Sequence, residues 1–293
     1  MQTTVTPNVV LMTDSASDLP KEAEKTYGIK IICFEHAFGD QTYISRIDFD
    51  NEKYYQMLEN YNGIPSTSQV TPFQFTTIYE KQFLSGCQDL IYVSINSKGS
   101  ATYENAVFAR NQFYYENPTA KDRMKIHIID GKTYTCGYGF AVLEAAKMLQ
   151  NGSSVSQVLT FINDWCTHCQ IYFVPYTLKY AAKSGRINGA AAFLGNALGI
   201  KPLMLIKNQQ INVVSKTRGE KNAVKAVIEN SVADMKPGSP YCLVYGNNLQ
   251  SREELKQEMI QLVGYEPAMV CQIGAEIAAN AGPNVVGVVF YHA

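Results

Sequence analysis

The first apolar run of the chain opens the stretch Val9-Val10-Leu11-Met12-Thr13-Asp14-Ser15-Ala16-Ser17-Asp18-Leu19-Pro20. Four consecutive apolar residues predict a buried strand, and the polar turn after them ends at a proline that suits the start of a helix. The alternation continues through the first half, with predicted strands at 29–38, 90–93 and 126–129 and predicted helices at 20–27, 52–60, 72–84, 102–115 and 139–150. Strands that alternate with helices predict an α/β domain built on a mainly parallel sheet.

The second half of the chain has a different pattern. Strand-like segments occur at 171–174, 202–206, 211–214, 241–245, 269–272 and 285–291, and helical segments occur at 220–235 and 252–262. The second and third strand segments predict a hairpin that turns at Asn208-Gln209. We therefore predict two domains: an N-terminal α/β/α domain over residues 1–165, and a C-terminal α+β domain over residues 166–293 whose mixed or antiparallel sheet is flanked by helices.

Length and composition exclude several classes of protein. The 293 residues are 46% hydrophobic, which is enough for a sizeable core. The formal net charge of −1 provides no basic field for nucleic acid. No apolar run approaches the length of a membrane span, and the stretch Met1-Gln2-Thr3-Thr4-Val5 lacks the basic start and apolar core of a secretory signal. We expect a soluble protein of the cytoplasm.

The cysteines are dispersed at positions 33, 87, 136, 166, 169, 242 and 271, and an odd, dispersed set argues against a disulfide framework. Cys166 and Cys169 have the spacing of a thioredoxin-type pair. That chemistry requires the first thiol at a helix N-terminus, whereas this pair ends an amphipathic stretch that runs from Val155 to Trp165. No second pair of ligands has a spacing typical of zinc. We interpret the cysteines as buried or incidental, and we predict no metal site.

Two loops rich in hydroxyl groups precede predicted helices. One contains Ser66-Thr67-Ser68 and leads to a helix at Pro72, for which Thr71 and Gln74 predict a capping box. The other loop, Asn96-Ser97-Lys98-Gly99-Ser100-Ala101-Thr102, follows a predicted strand and has neither the Walker nor the dinucleotide-binding glycine pattern. The loops are either solvated turns or two helix starts that converge on one carboxylate.

Three other features have alternative interpretations. Asp14 ends the first strand, where open α/β sheets bind ligands, and Asp18 or Ser17 is predicted to cap the helix entered through Pro20. Arg186 suits an anion, a partner surface or an ordinary surface ion pair. The nearly uncharged segment 190–200 is either buried core or the lining of a long apolar pocket.

The order and spacing of these motifs resemble those of the DegV family of bacterial fatty-acid-binding proteins, over nearly the whole chain. The matching segments are Asp14 to Pro20, Thr67-Ser68-Gln69, Gly99 to Tyr103, Ser184 to Ile187, Ile200-Lys201-Pro202 and the turn at Gly282-Pro283. The resemblance implies a carrier of one long-chain fatty acid, without catalytic activity or a cofactor. It also implies a carboxylate held by the hydroxyls of Thr67 and Ser100, an acyl chain in an apolar tunnel, and a fatty acid kinase that docks near Arg186.

The residues that the resemblance implies at the ligand are Thr67, Ser68, Ser100, Ala101, Arg186, Asn280 and Gly282. The family has His-x-Gly-Pro-Gly where this chain has Asn280-Ala281-Gly282-Pro283-Asn284. An asparagine amide can donate to a carboxylate, but it carries no titratable proton. We therefore expect fatty-acid binding with a weakened link to a kinase.

Two rival functions fit the same residues. The first is an enzyme that uses Asp14 and the hydroxyl loops for phosphotransfer to, or hydrolysis of, a phosphorylated small molecule. The second is a regulatory or partner-binding module in which a lipid is only structural. A carrier differs from the enzyme because the purified protein should contain a fatty acid.

Overall fold

The computed structural model describes residues 8–186 and 199–293. Its strands are β1 (Val9–Asp14), β2 (Lys30–Ile32), β3 (Glu35–Phe38), β4 (Gln41–Ile44), β5 (Ser66–Ser68), β6 (Asp89–Ser94), β7 (Lys125–Asp130), β8 (Cys169–Pro175), β9 (Ile200–Lys207), β10 (Gln210–Arg218), β11 (Tyr241–Tyr245), β12 (Met269–Gln272) and β13 (Val285–Tyr291). Its helices are α1 (Lys21–Tyr27), α2 (Asn51–Asn60), α3 (Pro72–Leu84), α4 (Thr102–Glu116), α5 (Ala120–Arg123), α6 (Cys136–Gln150), α7 (Val155–His168), α8 (Lys179–Ser184), α9 (Glu220–Asp234), α10 (Leu249–Val263) and α11 (Ala275–Ala281), with a short 3₁₀ turn at Ser15–Ser17. Within these two ranges, no helix is long and apolar enough to cross a membrane.

The first sheet is parallel and has the strand order β2-β1-β6-β7. Helices α3 and α4 pack on each other, as do α6 and α7, and the α/β prediction for the first half is confirmed. Because β1, β6 and β7 run in the same direction, their carboxyl ends meet at one edge of the sheet. The turn at Ser15–Ser17 and the segments 95–101 and 131–135 follow these ends, so the polar loops of the first half lie at that edge.

The second sheet has the order β10-β9-β8-β13-β11-β12 and is mixed. All its pairs are antiparallel except β11 with β12. Strands β9 and β10 form the predicted hairpin, which turns at Asn208 and Gln209. Helices α9 and α10 contact this sheet, and the cluster they form with it includes Val227, Leu255 and Val288. The mixed α+β prediction for the second half is therefore also confirmed.

Helix α6 contacts strands of both sheets. Every residue from Cys136 to Leu143 is buried, as expected for a helix that is apolar on all sides. A side chain at Gly139 would collide with the carbonyl oxygen of Ser17, so this glycine permits the close approach of α6 to the turn after β1. The two sheets share one continuous core through this helix. The predicted domain division at residue 165 falls between the end of β7 and the start of β8, and it stays a proposal.

A small antiparallel sheet of order β4-β3-β5 completes the fold. The single strand region predicted at 29–38 divides between sheets: β2 lies beside β1, whereas β3 pairs with β4 and β5. Gly39, at φ 62°, allows the tight turn between β3 and β4. Thr67 lies on β5 directly opposite His36 of β3. The local sequence predicts a loop at β5, because the strand character of this segment comes from pairing with a distant segment.

Candidate functional site

A cavity of about 470 Å³ lies where the two sheets meet. Its polar part includes Thr67, Gln69, the loop from Ser97 to Ala101 and Glu104, and its other walls come mainly from β8, β9, β10, β11, β13 and α11. The cavity therefore combines the hydroxyl loops of the first half with apolar strands of the second half. Pockets with predominantly apolar walls and a few polar groups are typical of small-molecule sites.

Two rows of cavity-lining side chains cross the second sheet. In the first row, Ile171 of β8 pairs with Ile206 of β9, which pairs with Ile211 of β10. Residues opposite each other on neighbouring strands project from the same face, so these three side chains form one apolar surface. The cavity wall depends on strand register, because a shift of one residue would turn all three side chains to the other face.

The second row contains a glycine between two large side chains. Phe173 of β8 pairs with Gly287 of β13, and Gly287 pairs with Val244 of β11. An added Cβ at Gly287 would lie 2.8 Å from Phe173 Cβ and 2.8 Å from Val244 Cγ2. Phe173 and Val244 line the cavity, so Gly287 provides the space in which they pack side by side. A glycine within an apolar strand is the sequence signal that could have indicated this close approach.

The two hydroxyl loops converge, as the sequence analysis allowed. The Val70 amide donates to Thr102 Oγ1 over 3.3 Å, and Asn105 Nδ2 donates to the Val70 carbonyl over 2.8 Å, which joins the end of the β5 loop to the start of α4. Ser100 Oγ lies 2.9 Å from Thr102 Oγ1 and accepts the Thr102 amide over 3.3 Å. If Thr102 also donates its hydroxyl to Ser100, the Ser100 proton is available to a ligand. The site lies at the N-terminus of a 15-residue helix, which favours an anion.

The predicted helix start at α3 is confirmed, with the capping box of Thr71 and Gln74 and a proline in its first turn. Of the residues predicted at the ligand, five line the cavity: Thr67, Ser100, Ala101, Arg186 and Asn280. The other two do not line it. Ser68 is exposed and pairs with Glu35 of β3. Gly282 ends α11 at φ 89°, where an L side chain would be strained.

Arg186 is exposed and follows Gly185, which ends α8 at φ 69°. Its Nη1 atom donates to the Ser184 carbonyl over 2.7 Å, which directs the guanidinium back along its own chain. The apolar segment predicted at 190–200 falls mainly on residues 187–198, which lie outside the described residues.

Asn280 lies on α11 one turn after a buried carboxylate that also lines the cavity. Asn280 Nδ2 donates to the Glu276 carbonyl over 2.8 Å. The Glu276 side chain accepts the Ser15 hydroxyl over 2.5 Å, and its Oε1 atom lies 3.4 Å from His36 Nε2. Burial alone would raise the pKa of Glu276, but hydrogen bonds from His36, Ser15 and Ser45 hold this pKa below its usual value. The sequence does not predict this cluster, and its one local signal is an acidic residue among the small residues of α11.

Comparison with known proteins identifies the family. The family model described as an uncharacterised protein of the DegV family, COG1307, matches residues 8–293. The chain belongs to the DegV family. A DegV domain-containing protein of Clostridium perfringens is 29% identical over 284 residues, covering 96% of this chain and 98% of the relative.

Solved structures of other DegV proteins have the same fold. A DegV family protein from Thermus thermophilus, described for its fatty acid binding, is 25% identical with a TM-score of 0.84, covering 98% of this chain and 100% of that one. A stearic acid-binding protein from Eubacterium ventriosum has a TM-score of 0.85 at 21% identity, covering 98% of each chain. Because the Eubacterium ventriosum protein is only 21% identical to this chain, its likeness shows a shared fold and no more.

Asp14 does not line the cavity of this DegV family member. It is fully buried, and its carboxylate accepts hydrogen bonds from the Tyr138 and Tyr92 hydroxyls and from the Ile95 and Ala16 amides, over 2.5–3.2 Å. Burial raises the pKa of Asp14 to about 6, although these donors oppose the rise. The arrangement holds together the turn after β1 and does not present a nucleophile to a substrate.

The predicted role of Asp18 or Ser17 as a helix cap is wrong. Helix α1 begins after Pro20 without a side-chain cap. Asp18 is buried, and its Oδ1 atom accepts the Gly274 amide over 2.8 Å. The turn after β1 packs against α11, so the side chain bonds to a segment that is distant in sequence.

Cys166 and Cys169 lie at the junction of α7 and β8, the C-terminal end of the helix, as predicted. Both are free and buried. Burial raises the pKa of Cys166 to about 12 and that of Cys169 well above its usual value, whereas a redox-active pair needs a lowered pKa. In residues 8–186 and 199–293, no group of three or more histidine, cysteine or acidic side chains could hold a metal ion.

Proposed function

We propose that this protein binds one long-chain fatty acid, with the carboxylate at Thr67 and Ser100 and the acyl chain against the apolar walls of the cavity. One observation carries the proposal. The same cavity contains a helix start with hydroxyl groups and two rows of apolar side chains. The fatty acid binding of the Thermus thermophilus relative supports it.

The energetics of the proposed complex are favourable. Burial of an acyl chain contributes about 0.8 kcal/mol per methylene, so a long chain supplies ample free energy before the cost of association. The polar contacts then need only to orient the head group. The ionised Glu276 carboxylate also faces the cavity, and we propose that it keeps the negatively charged head group near the hydroxyls rather than beside α11.

The test is to extract lipid from protein purified from a bacterial host and to identify the lipid by mass spectrometry. We expect a monoacyl lipid with a free carboxylate. Delipidated protein should gain thermal stability with palmitate, since a ligand that binds only the folded state stabilises it. The methyl ester of palmitate should give a smaller gain, because it lacks the charged acceptor. Absence of lipid from the folded protein, together with no thermal shift by palmitate, would overturn the proposal.

The enzyme alternative is less well supported by the site. It requires Asp14 as a reactive group, and the Asp14 carboxylate is enclosed by four donors of the fold. The polar residues that line the cavity include hydroxyls and amides, which suit the recognition of a carboxylate, together with the charged side chains of Lys98, Glu104, Arg186 and Glu276. We therefore propose a carrier that performs no chemistry of its own.

The link to a fatty acid kinase stays a prediction, as does a cytoplasmic location. Arg186 is exposed and lines the cavity, which suits a docking surface, whereas Asn280 offers only a neutral amide. We expect slow or absent acyl-phosphate formation when a fatty acid kinase and ATP are supplied, and a faster rate with Asn280→His. Equal rates for the unchanged protein and for Asn280→His would show that the amide is not the cause of any weak coupling.

A further inference from the structure

The end of the β9–β10 hairpin forms one wall of the cavity. Within the second sheet, the hairpin pairs with a neighbouring strand on one side only. Strand β10 is the edge of the second sheet and pairs with β9. Strand β9 in turn pairs with β8 through three residues, from Met204 to Ile206. Ile206 and Ile211, which line the cavity, lie close to the turn of the hairpin. The position of this wall therefore depends on how the turn itself is fixed.

The turn contacts the opposite side of the cavity through Gln209. Asn96 Nδ2 donates to the Gln209 carbonyl over 2.9 Å, and Gln209 Nε2 donates to Asp130 Oδ2 over 2.5 Å. Gln209 Nε2 also lies 3.3 Å from Ser97 Oγ. Asn96 follows β6 and Asp130 ends β7, so the side chain and the backbone carbonyl of one residue, Gln209, connect the second sheet to the cavity edge of the first sheet.

Asp130 extends this connection to the loop that carries Ser100. Its carboxylate accepts the Ser97 amide over 3.1 Å, the Ser97 hydroxyl over 2.6 Å and the Lys132 amide over 2.8 Å. The residues from Ser97 to Ser100 line the polar part of the cavity. Gln209 and Asp130 thus join the apolar wall made by the hairpin to the hydroxyl loop proposed to hold the carboxylate.

The backbone of the turn indicates that the Gln209 side chain matters. Asn208 and Gln209 have φ values of 51° and 66°, a left-handed conformation that is unfavourable for residues with a Cβ and is commonly filled by glycine in two-residue hairpin turns. A glycine would relieve the backbone at position 209, but it could not reach Asp130.

We propose that Gln209 is a positioning residue for the lipid: it fastens the end of the β9–β10 hairpin to the Ser100 loop through Asp130 and thereby slows release of the bound fatty acid. This proposal rests on the proposed function. Lipid release requires the cavity walls to separate, and the Gln209 contacts are a polar link between these two walls. Loss of the link should change the dissociation rate more than the association rate.

The experiment measures dissociation of palmitate from the full chain by chase with an excess of deuterated palmitate, followed by native mass spectrometry. Gln209→Gly removes the side-chain contacts to Asp130 and Ser97, relieves the backbone and keeps the carbonyl that accepts from Asn96. We expect dissociation at least about tenfold faster, as befits the loss of a hydrogen bond to a charged group. Asn208→Gly is the matched control, since it relieves the neighbouring residue and keeps Gln209. Its dissociation rate should stay within about twofold of the unchanged protein, with an equal or higher Tm.

A charge variant separates the contact from a general effect on stability. Gln209→Glu places two carboxylates together, so dissociation should be fast at neutral pH and slower as the pH is lowered towards 5. In the double variant with Gln209→Glu and Asp130→Asn, the asparagine amide donates and the glutamate carboxylate accepts, so the hydrogen bond between the two walls can form again. Palmitate should then dissociate more slowly than from Gln209→Glu alone. Dissociation from Gln209→Gly within twofold of the unchanged protein would overturn the inference and leave the proposed function intact. Failure of the unchanged protein to bind palmitate would overturn both.

Discussion

Two strand ends at the same edge of the first sheet carry similar polar residues in different surroundings. The turn after β1, with Asp14 and Ser15, is covered by α6 and α11 and is fully buried. The loop after β6, with Ser97 and Ser100, is half-buried and lines the cavity. The residue types would allow either loop to bind a ligand. The difference shows that the covering elements, more than the polar residues themselves, decide which strand end is structural and which is open to a ligand.

Replacement of the buried carboxylate should have the largest effect. Asp14→Ala leaves the Tyr138 hydroxyl and the Ile95 amide without an acceptor in the core, at a cost of about 1–3 kcal/mol for each unsatisfied group, and leaves the Tyr92 hydroxyl only Ser94 Oγ at 3.4 Å. We expect the free energy of unfolding to fall by about 3 kcal/mol or more, measured by urea denaturation. Ser100→Ala is the control at the open strand end and should change stability by less than about 1 kcal/mol. Similar losses in both variants would break the comparison.

The pH dependence of the free energy of unfolding should report on the buried Asp14 carboxylate in the turn after β1. Burial raises the pKa of Asp14 from 3.8 in the unfolded chain to about 6 in the folded protein. Its contribution is therefore fully present below about pH 4 and is lost as the pH rises through 6. Relative to Asp14→Asn, which does not titrate, the unchanged protein should lose roughly 3 kcal/mol of stability between pH 4 and pH 7. Parallel stability curves for the two proteins would show that Asp14 is not the titrating group.

A third prediction concerns the wall that makes the β6 strand end a binding site. Gly287→Ala introduces a methyl group between Phe173 and Val244, and overpacking of this kind typically costs about 1–3 kcal/mol. We expect lower stability by denaturation and weaker palmitate binding by titration. Adding Val244→Ala removes Cγ2, one of the atoms in collision, and should restore part of both losses. An unchanged affinity in Gly287→Ala would place the acyl chain away from this row.

The smallest expected effects are at the open strand end itself. Thr67→Ala and Ser100→Ala should each weaken palmitate binding by about 1–3 kcal/mol, because each removes a hydrogen bond to a charged head group. Their stability should remain close to that of the unchanged protein. Calorimetric titration of both variants, with Ser66→Ala as an exposed control on the same strand, measures the effect. Unchanged affinity in both would place the head group elsewhere.

Local pattern in the sequence was sufficient for much of the fold and for part of the site. Apolar runs and helical periodicity predicted the strands of both sheets and the hairpin at Asn208-Gln209, because these signals depend on neighbours in the chain. The capping box at Thr71 was also predictable from a spacing of three residues. Five residues that the family resemblance implied at the ligand line one cavity. Ser100 and Ala101 lie there because a helix start after a parallel strand is at the sheet edge, whereas Thr67, Arg186 and Asn280 come from β5, the end of α8 and α11.

Contacts between distant segments decided the rest. Asp18 looked like a helix cap but bonds to Gly274, and β5 became a strand only because β3 lies beside it. The cluster of Glu276, His36 and Ser15 comes from three separate parts of the chain, and no local spacing could indicate it. The sequence alone thus determined most strands of the two larger sheets, most of the long helices, and the hydroxyl groups at their ends. Tertiary structure alone decided which polar groups are sealed and which face the cavity, because burial depends on what packs over a residue rather than on what precedes or follows it.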